Sequence, residues 1–167
     1  MMKTWFIQSL HIFPDEFLVM VGYSHAEAVK VMKRIGVKKG LIEYVEHSDG
    51  IKATFDQSAG GCFGYDGARM LWLRDWEANS ITHYSRLVHE TSHLVDFILI
   101  EGRNMAGETE GLAYAQDYMF TQLVTKLNKQ YESKKTRKRQ KGVISKGKTK
   151  TTRKRRGNSN TSSRRKK

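Results

Sequence analysis

Two short apolar runs, residues 4–10 and 17–21, are rich in β-branched and aromatic side chains and flank Pro14. Both read as strands. The period then changes. Ser24-His25-Ala26-Glu27 has the form of a capping box, and Ala28, Val31, Met32 and Ile35 share one face of a helix that Gly36 ends. That face should pack on the sheet. Residues 41–46 and 51–55 alternate apolar and polar positions across His47-Ser48-Asp49-Gly50, which predicts a β-hairpin. Gly60-Gly61-Cys62-Phe63-Gly64 reads as a turn, and Arg69 to Leu73 as one more strand. Leu87, Val88, Leu94, Val95, Phe97, Ile98, Leu99 and Ile100 then mark a largely apolar, buried helix, with Asn79 or Ser80 as its N-cap and Gly102 as its terminator. The expected class is α+β, a small mixed or antiparallel sheet with helices packed on it.

That helix carries His89-Glu90-Thr91-Ser92-His93, the pattern HExxH. With 6 His and 10 Glu in 167 residues, chance gives it in about one chain in a hundred. Residues four apart share a helix face, so His89 and His93 can grip one ion, as in zinc sites. Glu90 follows about 100° round, beside the position left for water, where a carboxylate can act as general base. The competing reading is an amphipathic helix with two polar histidines at the edge of a core. Burying two histidines and a glutamate is costly without partners, and a metal supplies one.

A catalytic zinc takes three protein ligands and keeps one position open. Sixteen residues separate His93 from Glu110, enough for the first helix to end near Gly102, a short loop to pass, and a second helix to begin near Gly107 or Glu108, antiparallel to the first. Glu110 ranks first as third ligand. Glu108 and Asp96 are rivals, and Asp96 could instead orient a histidine.

His89-Glu90-Thr91-Ser92-His93 followed by Glu110-Gly111-Leu112-Ala113-Tyr114 resembles the gluzincin arrangement, in which HExxH is completed by a glutamate in an ExxAY-like stretch. More narrowly it looks like small proteins of tailed bacteriophages with an HExxH helix, an acidic loop and a Glu-x-Leu-Ala-Tyr helix. The resemblance covers roughly residues 60 to 125. It implies a zincin-like fold, zinc on His89, His93 and Glu110, and Glu90 as base in a metallopeptidase acting on a protein or peptide. In that fold the strand before the helix is an exposed sheet edge on which a peptide can lie, and Trp72 and Trp76 could line the cleft or belong to the core. The chain is much shorter than typical gluzincin peptidases, and their residue for the oxyanion has no clear counterpart. Tyr114 is the candidate, against a tyrosine packed between two helices.

Charge divides the chain. Residues 133–167 hold 17 Lys or Arg and no acidic residue, so the rest carries 30 − 17 = 13 basic against 17 acidic residues, and the overall +13 belongs to the tail. With Val143 and Ile144 its only large apolar residues, the tail is expected to be disordered, which sets domains at 1–132 and 133–167. Such a tail binds phosphate backbones without reading sequence, and it lacks aromatics to stack on bases. It could also solubilise the chain or dock on an acidic partner. Cys62 is the single cysteine, so no intramolecular disulfide forms, and a small packed residue is favoured over a nucleophile. His25 and His47 read as solvated surface residues and His83 as structural. The N-terminus is too short and polar for a signal peptide, and no stretch approaches 18 apolar residues, so a cytoplasmic protein with no membrane contact is expected, in a bacterial host if phage-encoded. No phosphate-binding or dinucleotide fingerprint is present. The leading expectation is a zinc metallopeptidase concentrated on nucleic acid or nucleoprotein by its tail. The alternative is a non-catalytic, nucleic-acid-associated binding protein whose zincin domain is a scaffold.

Overall fold

A computed structural model describes residues 2–10, 15–101, 107 and 109–148, with the side chains of Leu10, Glu101 and 139–148 left aside. Pro14, Gly102 and Glu108 lie outside the described residues. Among those described, no helix is long and apolar enough to cross a membrane.

The architecture is α+β. Strands β1 (Thr4–Leu10) and β2 (Asp15–Val21) pair antiparallel, β2 runs parallel to β4 (Ala68–Leu73), and β4 pairs antiparallel with β3 (Gly60–Tyr65). The sheet order is β1-β2-β4-β3. Side chains alternate across a strand, and here both faces are buried. Phe17, Val19, Val21, Leu71 and Leu73 enter one core, while Leu18, Met20, Met70 and Trp72 enter the other. This explains why β2 reads as a continuous apolar run.

Helices α1 (His25–Ile35), α2 (Lys39–His47) and α3 (Asp49–Gln57) cover the second face. The α1 capping box forms as its sequence implies, and Gly36 takes the left-handed conformation at its end, φ 75°. The predicted hairpin over 41–55 is wrong, because α2 and α3 occupy that stretch. Leu41 and Val45 are four apart, as are Ile51 and Phe55, and each pair is buried. What reads as a hairpin turn is a helix start, with Ser48 Oγ accepting from Ile51 N at 3.4 Å. His25 is not a free surface residue either. Its Nε2 lies 2.7 Å from Val45 O, and its ring meets Phe55 edge-on. His47 is exposed at the end of α2.

Two further corrections concern the strands beside the motif. The glycine-rich segment 60–64 is strand, not turn. The turn is Asp66-Gly67, at φ 50° and 70°, and it joins Tyr65 to Ala68 in a two-residue hairpin. As a consequence β4, the strand before the HExxH helix, is interior, and β3 forms the edge.

The first face is covered by α4 (Ile81–Val95), a π-helical turn (Asp96–Glu101) and, as far as Ser133, α5 (Thr109–Lys148). Ser80 is the N-cap of α4. Ala115, Met119, Leu123 and Leu127 form the buried stripe of α5. Trp72 and Trp76 are core residues, 2% and 3% exposed, with indole N–H groups donating to Tyr23 O and Asn128 Oδ1. Residues through Ser133 form one compact unit, and the second unit begins at Lys134. Helix α5 runs on from the compact unit into the basic stretch as far as Lys148. Lys, Arg and Gln are good helix formers, and no proline interrupts them. Residues 149–167 lie outside the described residues.

Candidate metal centre

Helix α4 is held from both ends. Asp75, just after β4, accepts from Arg86 Nη1 at 2.7 Å and lies 3.0 Å from His83 Nε2. Burial would raise the Asp75 carboxyl, but these partners outweigh it and hold it below its usual range. His83 is therefore structural, and its Nδ1 is buried with no hydrogen-bond partner. At the other end Arg69 Nη2 donates to Phe97 O at 3.0 Å and ties the π-helical turn to β4.

Helix α5 returns along α4. Gln116 Nε2 donates to Ser92 Oγ at 2.8 Å, the Phe120 ring meets Tyr84 edge-on, and Asn128 Nδ2 donates to Tyr84 Oη at 3.1 Å, so the two helices are antiparallel as expected. This register gives each residue of the motif a direction. At about 100° per residue, Val88 and Ser92 face α5, Glu90 faces β3, and His89 and His93 stand on the arc between. Thr91 is buried and its hydroxyl returns to Leu87 O and Val88 O.

The two histidines are exposed, not buried as the apolar context of the helix suggests, so no burial cost calls for a metal here. Their rings meet nearly at right angles, with Nε2 atoms 3.2 Å apart. That separation suits a hydrogen bond if one nitrogen carries a proton. It also suits joint ligation, since two nitrogens at about 2.0–2.1 Å from a tetrahedral zinc lie about 3.3 Å apart.

Glu90 is the buried titratable residue of the motif, 6% exposed. It lies against β3 so closely that a Cβ on Gly60 would stand 2.9 Å from Oε1. Burial pushes its carboxyl up, with His89, His93 and Arg86 pulling the other way. Cys62, on the same strand, is pushed up to about 12, first by burial and then by the Glu90 charge. A thiol so raised is no nucleophile at neutral pH, in line with the packed reading.

The remaining candidates are less gathered. Asp96 is exposed at the end of α4. Glu110 is exposed in the first turn of α5, and Tyr114, one turn later, is 69% exposed, so it is not packed between the helices. Among the described residues no group of three His, Cys, Asp or Glu converges. His89 and His93 meet, and Glu110 does not join them. Sequence reasoning missed the Gly60–Glu90 contact, the Gln116 clamp and the Asp75–Arg86 anchor. Only the Asp-Gly dipeptide at 66–67 could have signalled that 60–65 is a strand. Comparison with protein families, with curated proteins and with solved structures gave no match.

Proposed function

We propose that this protein is a zinc-dependent metallopeptidase of zincin-like type, with His89 and His93 as two metal ligands, Glu110 as the third and Glu90 as general base. The observation that carries the reading is the 3.2 Å separation of the two Nε2 atoms on an open face, with Glu90 as the next residue. Zinc in such a site supplies Lewis acidity, polarising a carbonyl and lowering the pKa of water. The chain's own residues do the rest. His89 and His93 hold position through a helix anchored at both ends. Glu90, raised by burial, takes a proton from the attacking water and passes it to the leaving amine. Strand β3 offers an edge to an extended peptide beside Glu90, the role expected of β4 and taken by its neighbour. Tyr114, exposed one turn after Glu110, is the candidate oxyanion donor. The 17 basic residues of 133–167 would hold the enzyme on nucleic acid and raise its concentration near nucleoprotein substrates.

A second reading is favoured by one observation, the failure of a third His, Cys, Asp or Glu to join the histidines among the described residues. It is a nucleic-acid-associated binding protein with the compact unit as scaffold. Elemental analysis decides between them. One zinc per chain in the wild type, lost or weakened in His93→Ala and Glu110→Ala, is the expected result. Zinc lost only in His93→Ala moves the third ligand to Asp96 or Glu108, and protein that takes up no offered zinc overturns the enzyme reading.

A further inference from the structure

On the α5 flank of the histidine pair the surface folds into a pocket of about 250 Å³, lined by Val88, Ala113, Gln116, Asp117 and Phe120. Its walls belong to the candidate site. Val88 precedes His89, and Gln116 donates to Ser92 inside the motif. The volume falls below the roughly 300–1,000 Å³ of pockets that enclose a drug-sized molecule, so it suits a single side chain. Val88, Ala113 and Phe120 make apolar walls. The Gln116 amide is committed to Ser92 Oγ and Val88 O. Asp117, exposed, is then the one charge on the lining, and no ion pair among the described residues occupies it.

An apolar slot with a carboxylate matches a side chain that is apolar along its stem and cationic at its tip. We propose that this pocket is a subsite for a lysine or arginine side chain of an extended peptide, so that the site selects basic sequences. The consequence for cleavage rests on the peptidase reading, whereas the binding itself does not. An acidic residue is repelled by Asp117, and a long neutral one fills the walls without meeting the charge.

The test uses the full chain without added metal, labelled at valine and alanine methyls and titrated with blocked Ala-Arg-Ala, Ala-norleucine-Ala and Ala-Glu-Ala. The arginine peptide should shift the Val88 and Ala113 methyls and bind about two- to fivefold more tightly than the norleucine peptide, the range of an exposed ion pair. Asp117→Asn, with its other methyl signals unmoved, should erase that preference. Equal affinities, shifts only elsewhere, no shift at millimolar peptide, or a preference that survives Asp117→Asn would each overturn the proposal. Failure of the peptidase reading shows separately, as absence of zinc in elemental analysis.

Discussion

Gly60 and Glu90 are in contact across the β3–α4 interface, so closely that a methyl group on residue 60 fits only if the Glu90 side chain shifts. A Cβ at residue 60 would stand 2.9 Å from Glu90 Oε1 and 3.1 Å from Cγ. Gly60→Ala should therefore displace the carboxylate, and because Oε1 is the end of a flexible side chain the cost should stay at or below the low end of the overpacking range, about 1 kcal/mol. Urea unfolding measures the cost, and an unchanged midpoint would mean that β3 yields without strain.

Glu90→Gln keeps the shape of the side chain and removes the proposed base. Bound zinc should stay at the wild-type level while turnover of a peptide substrate falls by about 10²–10⁴. Equal loss of zinc and activity would make Glu90 a structural support of the site.

Cys62 should resist alkylation. Burial and the Glu90 charge push its thiol up to about 12, so almost no thiolate exists at pH 8. Iodoacetamide should label the native protein far more slowly than the unfolded one. The linkage runs the same way, since a thiol that holds its proton in the fold and loses it near pH 8.5 when unfolded lowers stability as pH rises above that value.

Asp75 gives the opposite limb. Its carboxyl is held below the unfolded value by Arg86 and His83 against the cost of burial. The stabilisation is present above the unfolded pKa and lost as pH falls through the lowered folded one. Thermal melting from pH 7 to pH 2 should fall less steeply in Asp75→Asn than in wild type, and parallel curves would place the acid sensitivity elsewhere.

Binding of the full chain to random-sequence duplex DNA should weaken by about 10³ or more between 50 and 200 mM salt if six or more basic residues of 133–167 meet phosphates. Fluorescence anisotropy reads this directly. A flat salt response would remove nucleic acid from the proposed partners.

Much of this was legible in residue order. Local rules were enough for the strands at 4–10 and 69–73, for the capping box at Ser24, and for His89 and His93 on one helix face, because each depends on spacing within a few residues. Where two periods fit equally, as at 41–55, local order could not choose, and the need to cover Leu18, Met20, Met70 and Trp72 accompanies the helical solution. A glycine-rich strand carries almost no side-chain pattern, so only pairing with β4 revealed β3 and made it the edge. The sequence by itself determined which residues share the motif and how they are spaced along α4. Tertiary structure alone decided that the histidines face solvent while Glu90 is buried, because that depends on α5 and β3 closing the two flanks of the helix, and those contacts join residues far apart in the chain.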